Sequence, residues 1–165
     1  MFGIVLLLHF GLFHWLSCGW RAAGVSAEPL MDQPWRSTSL SEFWGRRWNT
    51  AFRDLTHRHL FGPLARRLPG LVALLLGFLV SGLVHDLVIS WPAGGGYGGP
   101  TVFFLISGCG MVLERSRLGR RLGLRRGWPG WLFTVLLLVA PAPWLFHAAF
   151  IDEVVLPFMV ALRAL

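Results

Sequence analysis

The chain has 165 residues, 55% hydrophobic and only 14% charged, with a mean hydropathy of +0.59. A soluble domain carries about 25% charge, so the composition argues against a water-soluble fold and suits lipid. The formal charge of +7 rests on arginine alone. The arginines lie between apolar stretches and not along one continuous face, which argues against nucleic-acid binding and fits the positive-inside distribution of membrane proteins.

Four apolar stretches read as membrane spans, which need about 20 residues each: residues 2–20, 71–91, 97–113 (the shortest) and 131–151. The expected fold is therefore all-α and integral to the membrane. One embedded domain over residues 1–165 would hold about four transmembrane helices plus an interfacial amphipathic helix. Residues 2–20 lack a basic leader and are longer than a usual signal core, so they read as a span although Val25-Ser26-Ala27 resembles a cleavage site.

The interfacial helix is expected over residues 39–60. Ser39 and Glu42 have capping-box spacing; Leu40, Trp44, Trp48, Phe52 and Leu55 then recur every three or four residues, with Glu42, Arg46, Asn49 and Arg53 on another face. An Arg- and Trp-rich amphipathic helix suits the membrane interface. Pro63 and Pro69 punctuate the chain before the second span, and a glycine-rich connector over residues 92–100, read as a flexible turn, leads to the third. Eight arginines fall within residues 21–67 and six within 115–126, against none in the connector. That asymmetry puts both Arg-rich segments in the cytoplasm and the connector outside. Arg in place of Lys, with abundant Gly, Ala and Leu, hints at a GC-rich genome, so the expected location is multi-pass in a bacterial inner membrane.

His85 is the sharpest candidate residue. It lies well inside the span over 71–91, whose only other ionisable residue is Asp86, and ionisable groups at such depth default to a functional role. Ser81 sits one turn earlier on the same face, where its side chain can reach His85. His9 and His14 point to different faces, as do His57 and His59, and His147 reads as structural. No histidine box or set of three convergent ligands occurs, so no metal is expected. Cys18 and Cys109 sit in apolar stretches and form neither a disulfide framework nor a metal site.

The run Thr38-Ser39-Leu40-Ser41-Glu42-Phe43-Trp44-Gly45-Arg46-Arg47-Trp48-Asn49, followed by Ser81-Gly82-Leu83-Val84-His85-Asp86, resembles the Asn and His motifs of the membrane-bound O-acyltransferases, wax synthase-like branch. The resemblance covers roughly residues 10–91. It implies transfer of a fatty acyl group from acyl-CoA, as co-substrate, to a long-chain alcohol, with membrane lipids around it and no metal or other cofactor. His85 would be the general base and Asn49 its catalytic partner; Arg46, Arg47, Trp44, Trp48 and Ser81 would bind substrate. A sterol or glyceride acceptor is the alternative within the family. Members of the family are typically longer, with more spans before the Asn motif. The chain thus reads as a fragment, a half needing an N-terminal part or partner chain, a compact member, or a non-catalytic subunit.

Overall fold

The computed structural model describes residues 13–24 and 30–161, and all regular structure among them is helical. The expected span over residues 2–20 falls largely outside them; what is described there is helix α1, Phe13–Ala22.

Among the described residues two helices are long and apolar enough to cross a membrane: Gly70–Ala93, of 24 residues and mean hydropathy 2.2, and Gly127–Leu145, of 19 residues and mean hydropathy 1.4. They are called α4 and α7 here. Between them lie α5, Gly99–Arg115, at 17 residues the shortest of the three, and the brief α6, Arg117–Arg121. The fourth expected span, over 131–151, is displaced: α7 starts at Gly127 and the chain turns after Leu145. There His147 begins a new helix, its Nδ1 accepting the Phe150 N–H at 3.1 Å, and that helix, α8, continues to Ala161.

α4 and α5 run antiparallel along a seam of small residues. Ala73, Gly77, Ser81 and Gly82 are buried on α4, and Phe103, Phe104, Ser107 and Gly108 on α5. A Cβ on Gly82 would lie 2.6 Å from the Thr101 Cα. Such close backbones are how helices gain packing in lipid, where the hydrophobic effect between them is absent. The connector between the two helices is not slack. Gly96 has φ +72°, and a Cβ there would strike the His147 ring at 2.2 Å.

The segment expected as one interfacial helix over residues 39–60 is instead a helical hairpin. Its first arm, α2, comprises Leu40–Glu42 and a π-helical turn Phe43–Arg47. The chain breaks at Trp48 and Asn49, where Asn49 adopts a left-handed conformation with φ 45° and ψ 67°. The return arm, α3, runs through Thr50–Thr56, a π-helical turn His57–Phe61, and Gly62–Arg67. Asparagine is among the few L-residues that tolerate this backbone region. The break is pinned by the preceding strand of chain, since Thr50 N–H donates to the Leu30 carbonyl at 3.0 Å and Asp32 N–H to the Arg47 carbonyl at 2.9 Å. α2 follows α5 from Leu40, beside Gly110, to Trp44, which packs on Phe78, Phe103 and Phe104. α3 then returns along α4, with Phe52 against His85 and with Thr56, His59 and Leu60 facing Val80 and Ser81 across a cleft of about 200 Å³. Asn49 stands at the turn.

Candidate active site

His85 closes the regular α-helical part of α4, and a π-helical turn, Asp86–Ser90, follows it. Its Nδ1 is 2.7 Å from the Ser81 carbonyl. A carbonyl oxygen only accepts, so Nδ1 carries the proton and Nε2 keeps the lone pair in the neutral ring. Ser81 thus acts through its backbone, where the sequence suggested its side chain. The imidazole is half-buried between Phe104, at 4.3 Å between ring centroids, and Phe52, at 6.3 Å.

The rest of the His motif fixes α4 to α5. Asp86 Oδ1 accepts the Gly98 N–H at 2.8 Å, and Oδ2 accepts the Thr101 N–H at 3.1 Å together with the Thr101 hydroxyl. Asp86 is therefore the N-terminal cap of α5, supplied by its neighbour. Ser90 Oγ donates to Asp86 Oδ1 at 2.9 Å and lies 3.2 Å from His147 Nε2. Because His147 Nδ1 accepts a backbone N–H, its Nε2 is the donor, and protons point from His147 to Ser90 to Asp86. His147 donates to Ser90 and so cannot take its proton, which makes this trio a staple and not a nucleophilic triad.

In the Asn motif most side chains hold the hairpin. Ser39 Oγ accepts the Glu42 N–H at 3.0 Å. Glu42 does not return to the Ser39 amide as a capping box would. It accepts from the Thr38 N–H at 2.8 Å and from Arg47 Nε at 2.7 Å. Burial pushes the Glu42 carboxyl up, but the bonds from Thr38 and Arg47 outweigh it and hold the group below the usual carboxylate range. Arg47 also reaches the Asp32 carbonyl at 3.1 Å and its carboxylate at 3.7 Å. Its guanidinium is thus engaged within the chain. Arg46 is exposed and has no acidic partner among the described residues. Trp48 stacks on Phe43 at 5.3 Å, and the Trp44 indole N–H is buried without a hydrogen-bond partner among the described residues.

Asn49 Oδ1 accepts the Phe52 N–H at 3.1 Å, capping α3. The oxygen is occupied, so the amide end left for other chemistry is the Nδ2 donor. Asn49 and His85 are joined through one residue: Asn49 caps the turn that carries Phe52, and the Phe52 ring faces His85. Two further residues belong to this arrangement and were not foreseen, Phe104 on the His85 ring and Glu114. Fully buried Glu114 accepts the Leu40 N–H at 2.8 Å and the Ser41 N–H at 3.0 Å. The one sequence signal for it was an acid at the end of an apolar helix.

Residues 27–106, which contain both motifs entire, match the membrane bound O-acyl transferase family. The chain belongs to that family. It is 30% identical over 141 residues to a probable long-chain-alcohol O-fatty-acyltransferase 7 of Arabidopsis thaliana, covering 74% of this chain and 40% of the relative. It is likewise 30% identical over 142 residues to a long-chain-alcohol O-fatty-acyltransferase of Simmondsia chinensis, covering 74% of this chain and 38% of the relative. A diacylglycerol O-acyltransferase 1A of Glycine max is 33% identical over 89 residues, covering 53% of this chain and 18% of the relative. The chain thus spans about 40% of the length of the first of these relatives. No solved structure matches it.

Proposed function

We propose that this chain carries the acyl-transfer centre of an acyl-CoA-dependent O-acyltransferase that esterifies a long-chain alcohol. The observation that carries the reading is the His85 tautomer: Nδ1–H is engaged with the Ser81 carbonyl, which leaves a basic Nε2 beside the turn that Asn49 caps. An alcohol is a poor nucleophile until a base takes its proton, and a neutral imidazole suits that task near pH 7. In this mechanism Nε2 removes the hydroxyl proton as the alcohol oxygen attacks the thioester carbon. The developing oxyanion is met by Asn49 Nδ2–H, the free end of that amide. Collapse of the intermediate re-forms the carbonyl and breaks the C–S bond, and the CoA thiolate leaves with the proton from the imidazolium. No metal or other cofactor takes part, acyl-CoA being the co-substrate.

Of the two motif arginines, Arg46 is the one open to CoA phosphates, since Arg47 is held by Glu42 and Asp32. Trp44, Trp48 and Phe52 line the approach, and Ser81 serves through its carbonyl. The domain is multi-pass, with α5 crossing beside α4 and α7, both Arg-rich segments cytoplasmic and the glycine connector outside. A fatty alcohol is the preferred acceptor because it is the one in the names of the relatives covering most of this chain.

The test is ester formation by membranes containing the protein, supplied with labelled acyl-CoA and either hexadecanol or diacylglycerol. The parental chain should form wax ester from hexadecanol. His85→Ala should lower kcat by roughly 10²–10⁴, and Asn49→Ala by about 10²–10³, with both variants still inserted. Equal rates for parent and His85→Ala would return His85 to a packing role. Product from diacylglycerol alone would replace the acceptor.

A further inference from the structure

We infer that Glu114, outside both motifs and outside the matched residues, is a positioning residue that sets the depth of Asn49 relative to His85. The inference rests on the catalytic reading of those two residues.

The first four N–H groups of a helix have no partner within it. In α2 the three that follow the cap residue Ser39 are all accounted for. Glu42 N–H goes to Ser39 Oγ, and Phe43 N–H, the first with a partner inside the helix, goes to the Ser39 carbonyl. The other two, from Leu40 and Ser41, go to the two oxygens of Glu114, 74 and 73 residues away. A carboxylate at this point also meets the positive end of the helix dipole. Glu114 is fully buried, and the adjacent Arg115 donates to Ser41 Oγ at 2.9 Å, so the grip is double.

An isolated helix as short as α2 is not stable on its own, so its axial position is set by what holds it. Glu114 holds its first turn, and Asn49 lies two residues beyond its last. The same rigid helix, α5, also carries Phe104, whose ring lies on His85 at 4.3 Å, and Thr101, which Asp86 caps. α5 is therefore a ruler with the His motif registered at one end and the Asn motif at the other. Glu114 and Phe104 stand ten residues apart, about 15 Å along the helix. In Glu114→Gln an NH₂ group faces a backbone N–H, and one of the two bonds becomes a repulsion.

Two measurements on the full chain test this. With both cysteines changed to Ser, spin labels at exposed Gly45 and Leu87 report the hairpin against α4. Glu114→Gln should shift or broaden that distance, while Glu153→Gln, on an exposed residue of α8, should leave it unchanged. A distance unmoved by Glu114→Gln overturns the inference whatever the activity. The second measurement is a double-mutant cycle on kcat. Glu114→Gln alone should cost roughly 10–10²-fold, the scale of a small misplacement. In the Asn49→Ala background it should cost no more than about 2-fold, because the group it positions is gone. Multiplying losses would mean a general structural role and overturn the inference. If Glu114→Gln does not insert, Glu114→Ala, which removes both acceptors without presenting a new donor, should give the same shift. A parental protein that makes no ester defeats the catalytic reading, and the label distance then still decides whether Glu114 sets the hairpin.

Discussion

The two ends of α5 are each tied by a carboxylate to a helix N-terminus, yet they are built differently. At its start, Asp86 reaches over from α4 and caps α5 itself. The joint is reinforced by backbone packed on backbone, since a Cβ on Gly82 would lie 2.6 Å from the Thr101 Cα. At its other end α5 supplies the carboxylate, Glu114, and caps α2. There the close approach is made by side-chain tips: a Cβ on Gly110 would meet the Leu137 and Leu40 Cδ1 atoms at 2.3 and 2.6 Å. The His85 side is thus a seam that cannot give, and the Asn49 side a joint whose position depends on a few hydrogen bonds.

The largest effect expected from this contrast is on stability at the two glycines. Gly82→Ala should cost about 3 kcal/mol, the upper end of overpacking, because the obstacle is backbone. Gly110→Ala should cost less than about 1 kcal/mol, since two leucine tips can rotate away and alanine favours a helix over glycine. Thermal unfolding in detergent compares them directly. The reverse order would show that the Asn49 side is the stiffer joint.

A smaller loss is expected at Asp86. Asp86→Ala leaves the Gly98 and Thr101 N–H groups without their acceptor, at about 2 kcal/mol. The loss should be local, so amide hydrogen exchange should quicken at Gly98 and Thr101 while Leu40 and Ser41, held by Glu114, keep their protection. Equal quickening at both sites would mean that the two ends of α5 open together and are not separate joints.

The two ends also differ in how far the sequence reveals them. His85 and Asp86 stand out because lipid penalises ionisable groups, and their partners are close in the chain. The hairpin is hidden because the spacing of Leu40, Trp44, Trp48, Phe52 and Leu55 runs without interruption across the break. Apolar periodicity carries no information on φ, and the one local sign was that the break falls on asparagine. Arg46 and Arg47 are adjacent and identical in type, and only the positions of Glu42 and Asp32 single out Arg47 as the engaged one. Glu114 looks like the polar end of a span until the fold brings Leu40 and Ser41 to it. The displaced fourth span has a similar origin, since His147 caps a helix that composition alone joins to the preceding one.

The smallest effect sharpens the account of the Asn49 side, and it depends on pH. Glu42 ties the start of α2 to its end by accepting from Thr38 and Arg47. These bonds hold its carboxyl below the usual range despite partial burial. A carboxyl lowered on folding stabilises the folded state above its unfolded value, about 4.3, and loses that contribution as pH falls through the lower, folded value. Glu42→Gln removes the ion pair at every pH. The difference in Tm between parent and Glu42→Gln should therefore be full near neutrality and shrink as pH falls below about 4. For a partly exposed pair its size should be only roughly 0.2–1 kcal/mol. Arg47 stays charged throughout this range, so closing of the gap would report Glu42 alone. A gap that stays constant from pH 7 to about 3 would mean that Glu42 holds α2 by shape and hydrogen bonding and not by charge. The rigidity of the Asn49 joint would then rest on Glu114 and the packing of Trp44.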